Sequence, residues 1–284
     1  MTKKVNVVMA GLPGNMAKAV AQHLLRDERF HIVPGAALTG PDISESEIEI
    51  DGLKFSLISP DQHKKVLISL QFVVENPVVV DFTHPSAVNR NAELYCNLGI
   101  PFVMGTTGGK RDELLKTVEE SLTCAVIAPN MAKQIVGFQA TMHYMAATFP
   151  KVFEGYTLEI VESHQNGKAD TSGTAMAMVE QPDGSPGIFN QLGIPFKKDQ
   201  IRMVRDPKVQ TSELGVPEEY LAGHGWHTYI LRSKDGTVIL RFTHNVNGRD
   251  VYALGTIDAL LFLANKVEQG AKGEVFSMVD VLKG

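Results

Sequence analysis

At 284 residues, 44% hydrophobic and 21% charged, the chain is long enough for two modest domains, each with its own core. A formal net charge of −5 with no basic run argues against a nucleic-acid partner, and apolar stretches of only strand length argue against a membrane span. Cys96 and Cys124 lie far apart without metal-ligand spacing, so neither a disulfide framework nor a metal site is expected, and the usage fits a reducing compartment.

The chain enters a strand almost at once, at Val5 to Ala10, leaving no room for a signal or transit segment in the sequence as it stands. A cytoplasmic protein is expected, or one of the plastid stroma if a leader has been removed. The strand runs into Gly11-Leu12-Pro13-Gly14-Asn15-Met16, and a helix is predicted from Met16 to Arg26. Strand, glycine turn and helix make the opening of a dinucleotide-binding unit, in which glycine lets a pyrophosphate approach the helix N-terminus. The pattern is degenerate, with Pro13 and Ala17 where further glycines would stand, and alone it is a weak signal.

A second strand is predicted near His31 to Leu38. Where such folds often place an acid for the adenosine ribose, this chain has Thr39-Gly40-Pro41. An uncharged end leaves space for a 2′-phosphate, so NADPH is expected to be accepted, with NADH possible. Residues 42–56 suggest a hairpin about Asp51-Gly52. Three further strands end in polar tips: Val78 onward in Asp81-Phe82-Thr83, Phe102 onward in Gly105-Thr106-Thr107, and Cys124 onward in Ala128-Pro129-Asn130-Met131. Helices are predicted between them, over Ser86 to Leu98 and Glu113 to Leu122. Ligands of doubly wound sheets bind off such tips, so several in register predict a cofactor crevice.

Gln134 to Ala147 reads as a helix with a core-facing stripe of Ile135, Phe138, Met142 and Met145. The stretch Ile160 to Ala177 then opens as a strand and closes as a helix that should end before Pro182. Its loop carries His164, Gln165, Lys168, Asp170 and the turn Ser172-Gly173-Thr174, a receptor for a carboxylate or phosphate beside an imidazole and an ammonium. Residues 182–198 read as loop. Ile201 to Val204, Gly225 to Leu231 and Thr237 to Thr243 read as an antiparallel sheet, with a hairpin at Asp235-Gly236. Gly255 to Glu268 is an amphipathic helix. His224 and His227 should face opposite sides of their strand, which makes a zinc site improbable. His244 reads as structural, and Arg249 is left open. The fold class expected is α/β: a Rossmann-like doubly wound parallel sheet over 1–131 and 244–284, with an inserted α+β substrate-binding and oligomerisation domain over 132–243.

Taken together, Gly11 to Met16, the three strand tips, and above all Glu162 to Ala175 (ESHQNGKADTSGTA) resemble 4-hydroxy-tetrahydrodipicolinate reductases over essentially the whole chain. Gln165 after His164, a single Thr171 before Ser-Gly-Thr, Thr39 after the second strand, and the segments Arg205 to Lys208, Gly215 to Glu219 and His244 to Arg249 resemble the plant-type branch. The resemblance implies reduction of a cyclic hydroxy-dicarboxylate by a nicotinamide cofactor, with release of water. It implies cofactor contacts at 11–16, Thr39, Phe82, Thr83, 105–107 and 128–131. It further implies His164 as general acid, Lys168 as cation or proton donor, and Gln165, Ser172, Gly173 and Thr174 on the substrate. Glu162 and Asp170 would orient the loop, and closure would occur about segments near Met131 and Thr243. A homo-oligomer, dimer or tetramer, is implied as well. A dehydrogenase of another small carboxylate, or a non-catalytic assembly factor, is the alternative; retention of His164, Lys168 and Ser-Gly-Thr argues against the latter.

Overall fold

Short valine-rich runs build the first sheet. The computed structural model describes residues 4–168, 170–180 and 184–284. Strand β1 (Val5–Ala10) leads to helix α1 (Asn15–Leu25). The single strand expected over His31 to Leu38 is two pieces, β2 (Phe30–Ile32) and β3 (Ala37–Leu38), separated by a tight turn over Pro34–Ala36. Proline has no N–H for the ladder, so the chain turns there and β3 pairs with β1 afresh, Leu38 opposite Ala10. Strands β4 (Glu47–Ile50) and β5 (Leu53–Ile58) form the expected hairpin, with φ of 47° at Asp51 and 82° at Gly52. Helix α2 (His63–Gln71) has no counterpart in the sequence reading; it buries His63, Leu67 and Leu70 at helical spacing. Then follow β6 (Val78–Asp81), α3 (Val88–Asn97), β7 (Phe102–Met104), α4 (Arg111–Glu119) and β8 (Cys124–Ile127).

Helix α5 (Lys133–Thr148) leads to β9 (Thr157–His164) and α6 (Gly173–Val179); Pro182, expected to end α6, lies outside the described residues. Within the stretch read as loop, α7 (Ile188–Gln191) buries Ile188 and Phe189. Strand β10 (Arg202–Val204) and α8 (Pro207–Val209) precede the long pair β11 (His224–Arg232) and β12 (Ile239–Asn247). The order is β10-β9-β11-β12. The sheet is not wholly antiparallel as expected: β10 runs parallel to β9, because the connection through α6 and α7 is long enough to return the chain to the same end. One face packs Ile160, Tyr229 and Leu231 against Met178 and Phe189.

The chain closes with α9 (Asp250–Glu268), β13 (Glu274–Phe276) and α10 (Met278–Lys283). The first sheet has the order β13-β8-β7-β6-β1-β3-β5-β4, with β2 also paired to β1. All its pairings are parallel except β4 with β5, and β6, β7 and β8 are wholly buried, as sheets covered on both faces require. Two compact units result, 1–133 with 250–284 and 134–249.

Inside the first unit, α9 passes so close to the chain at Met131 that a Cβ on Gly255 would overlap the Met131 carbonyl oxygen. Helix propensity favours alanine over glycine by about 1 kcal/mol, whereas overpacking costs about 1–3 kcal/mol. A backbone carbonyl yields less than a side chain, so the clash wins. Gly255→Ala should lower the thermal unfolding midpoint by several degrees in calorimetry; an unchanged or raised midpoint would show that α9 can withdraw.

Candidate active site

In the first unit the carboxyl ends of the parallel strands stand side by side because each tip prolongs the ladder of its neighbour. Gly11 N–H donates to the Leu38 carbonyl, Phe82 to Ala10, Gly105 to Asp81 and Ala128 to Met104, at 2.7–3.0 Å. A groove of about 380 Å³ opens there, lined by 11–15, Gly40, Pro41, Ile43 and 82–84. Gly11 adopts φ 110°, and a Cβ on it would meet the Phe82 carbonyl; a Cβ on Gly105 would meet the Phe82 ring. A side chain at either glycine would displace Phe82, which forms one wall of the groove. Helix α1 begins here without a side-chain cap and without an acid in its first turn. Its leading N–H groups and the positive end of its dipole fit a phosphate-bearing cofactor.

Buried Asp81 holds the tips together. One carboxylate oxygen accepts from Thr83 N–H (2.9 Å) and Thr83 Oγ1 (2.6 Å), the other from Asn91 Nδ2 (2.9 Å) and Tyr95 OH (2.8 Å). Thr106 Oγ1 reaches it at 3.3 Å from the next tip.

Thr39 does not sit where the sequence reading put it. It is buried, and its hydroxyl donates to the Ile58 carbonyl at 3.0 Å, so it points into the fold; Gly40 and Pro41 face the groove instead. Ala128 and Met131 are also core, leaving Pro129 exposed and Asn130 half-buried at that tip. Among the described residues, no carboxylate lines the groove.

In the second unit, β9 alternates, so Ile160, Glu162 and His164 share a face. The registers place His227 of β11 beside Glu162, and His244 of β12 beside His227. A polar row thus crosses three strands one step from the apolar row of Ile160 and Tyr229. The His227 and His244 rings stack at 4.7 Å, and the His164 ring meets His227 edge-on at 5.2 Å. His164 is the last residue of β9 rather than part of the loop. Its Nδ1 donates to the His224 carbonyl at 3.0 Å, which fixes the neutral tautomer and leaves Nε2 a bare acceptor, buried without a partner. Burial holds His164 down to about 4, with Arg205 and Lys168 opposing the upward pull of Glu162. Burial likewise holds His244 to about 4 and depresses His227 strongly. All three imidazoles are thus held below their ordinary value of roughly 6.5.

Fully buried Glu162 receives Arg205 Nη2 at 2.6 Å on one oxygen and Ser172 N–H at 2.9 Å on the other. Ser172 Oγ caps α6 by accepting from Ala175 N–H (3.0 Å) and bonds His227 Nε2 (2.7 Å). Expected to offer its N–H and hydroxyl to a ligand, Ser172 uses both inside the fold. Gly173 is exposed, Thr174 and Gln165 are half-buried, and Lys168 Nζ lies 2.7 Å from exposed Asp170. Glu162, His164 and His227 bring one ligand atom each within 4.8 Å of one another. Glu162 already carries a guanidinium, however, and a cation placed there would meet that fixed charge. The sequence reading gave no role to Arg205, His227 or Gln210; only the alternation along β9 and β11 hinted that polar side chains would be buried there.

The descriptions "Dihydrodipicolinate reductase, N-terminus" and "Dihydrodipicolinate reductase, C-terminus" belong to the family profiles that match residues 5–131 and 135–282. 4-Hydroxy-tetrahydrodipicolinate reductase 2, chloroplastic, of Arabidopsis thaliana is 45% identical over 279 residues, covering 98% of this chain and 77% of the relative. The 4-hydroxy-tetrahydrodipicolinate reductase of Polynucleobacter necessarius is 28% identical over 285 residues, covering 98% of both. A solved structure, dipicolinate-bound dihydrodipicolinate reductase from Paenisporosarcina sp. TG-14, shares the fold with a TM-score of 0.60 at 20% identity over 98% of both chains. Both halves of the expected resemblance are borne out, and the chain belongs to the dihydrodipicolinate reductase family, on its plant-type branch.

Proposed function

We infer that this chain reduces 4-hydroxy-tetrahydrodipicolinate to tetrahydrodipicolinate with a nicotinamide cofactor, releasing water, in diaminopimelate and lysine biosynthesis. The observation that carries the reading is the uncapped α1 N-terminus over a groove that no carboxylate lines among the described residues, in a chain that also carries His164 and Lys168 beside the Ser-Gly-Thr turn. The nicotinamide supplies a hydride; the protein must supply one proton and hold two carboxylates. Cofactor contacts are assigned to 11–16, to Phe82 and Thr83, to 105–107 and to the 128–131 tip. NADPH is the preferred cofactor in this reading, because Gly40 and Pro41 line the groove and, among the described residues, no carboxylate does, neighbouring Asp42 included.

Gly173 and Thr174 take one substrate carboxylate, with Ser172 shaping the turn from behind. Lys168 takes the other, and Gln165 lies within the same loop. Lys168 rests on Asp170, whose side chain is 81% exposed, so exchanging it for a substrate carboxylate loses little. His164 delivers the proton. A neutral imidazole cannot do so, but a dianionic substrate favours its charged form. Acid and substrate therefore arrive coupled: binding the dicarboxylate draws a proton onto Nε2. Two or four copies are proposed to associate, with the edge strand β12 and its exposed Ile239 as a pairing surface. The compartment proposed is a cytoplasm, or a plastid stroma after removal of a leader. Among the described residues no helix is long and apolar enough to cross a membrane.

His164→Ala and Lys168→Ala should each cut turnover by about a hundredfold or more while NADPH affinity stays unchanged; near-normal turnover in both would remove the assigned roles. Titrating the wild-type chain with dipicolinate at pH 6, in buffers of differing ionisation enthalpy, should reveal net proton uptake that His164→Ala abolishes. Uptake that persists in the variant would show that another group gains the proton. Gly40→Asp has room for its side chain and should weaken NADPH more than NADH in fluorescence titrations; equal losses would mean the 2′-phosphate does not lie against residue 40.

A further inference from the structure

Arg205 sits just past β10, and its guanidinium makes four hydrogen bonds. Nη2 donates to Glu162 Oε1 at 2.6 Å and to the Asp170 carbonyl at 3.2 Å. Nε donates to the Lys168 carbonyl at 2.8 Å, and Nη1 to the Val204 carbonyl at 3.2 Å. The Arg205 side chain is 16% exposed and that of Glu162 is 0%. One planar group thus grips the backbone at Lys168 and at Asp170, and anchors both on a carboxylate at the floor of the sheet. Beside it Gln210 Nε2 donates to the His164 carbonyl at 2.7 Å and to the Val204 carbonyl at 3.1 Å, tying the end of β9 to β10.

Taking an ion pair out of water is costly, and Coulomb attraction alone often fails to offset it; further hydrogen bonds must satisfy the remaining donors. Here the loop carbonyls do so. Burial of the pair and the conformation of the loop are therefore one event: the loop cannot lift without leaving guanidinium donors unsatisfied.

We propose that Arg205 is the positioning residue for Lys168, fixing the backbone that carries the ammonium instead of touching substrate itself. The inference rests on the reading of Lys168 as the substrate-facing cation. Lysine cannot replace Arg205, because an ammonium keeps the charge for Glu162 but lacks the rigid fork that reaches two loop carbonyls at once.

The test is a double-mutant cycle on the full-length chain, reading kcat and KM for the hydroxy-dicarboxylate, NADPH affinity and thermal midpoint. R205K should keep the wild-type NADPH affinity and lose about ten- to a hundredfold in kcat/KM, with KM raised as well as kcat lowered. R205K combined with K168A should be no slower than K168A alone, because Arg205 has nothing left to position. A purely structural lesion would instead multiply the loss in the K168A background, and that result overturns the proposal, as does wild-type kcat/KM in R205K. If K168A itself runs at the wild-type rate, the reading of Lys168 fails and this inference falls with it. Should R205K fold poorly, the charge-free pair E162Q/R205Q enters the same cycle and is judged by the same criterion: equality with its K168A combination supports the proposal, and multiplication refutes it.

Discussion

A carboxylate with no exposed surface, Glu162, is the constraint around which the second unit is arranged. An unpaired charge there would cost several kcal/mol, so the fold must bring it a cation and further donors. It brings Arg205 from beyond β10 and the Ser172 N–H from the start of α6. Those partners fix the two ends of the loop that bears Lys168. The helix cap, the loop and the strand pair β9–β10 are held in common by one side chain.

The first unit uses the same device with different chemistry. Asp81 is equally buried, and the groups that donate to it here are neutral: a backbone N–H, two threonine hydroxyls, an amide and a phenol. Asp81 itself aligns the two strand tips beside the glycine turn, and the positive end of α1 is left to meet the phosphates. Glu162 lies in a region proposed to attract a dianion, and its guanidinium adds to that field while compensating the carboxylate. In each unit a buried acid turns flexible connections into a surface of fixed shape, which is what orienting a substrate and a cofactor demands.

The histidine row shows the opposing pressure. Packing His164 against His227 and His244 under α6 removes water and drives all three toward the neutral form. Desolvation that disfavours the imidazolium also strengthens its interaction with an incoming anion. The same burial that lowers the affinity of His164 for a proton makes that affinity responsive to substrate. His224 belongs to the framework: its Nδ1 donates to the Tyr220 carbonyl, so its Nε2 accepts from Ser163 Oγ.

The sequence by itself determined the parallel core of the first unit, because Val5 to Ala10, Val78 to Asp81, Phe102 to Met104 and Cys124 to Ile127 are apolar runs bounded by glycine, proline or polar residues. The Asp51-Gly52 and Asp235-Gly236 hairpins were legible for the same local reason. The loop from His164 to Thr174 was legible as chemistry, since its residue types and order carried the family resemblance. What only the tertiary structure decided was pairing at a distance. Leu38 opposite Ala10 turned Thr39 inward and handed its place to Gly40. His227 opposite Glu162, with His244 beyond, assembled a row from residues up to 82 positions apart (162 to 244). Arg205 found Glu162 across 43 positions. Register is set by how whole faces bury, and a one-residue slip would reverse every one of these contacts without changing any local signal.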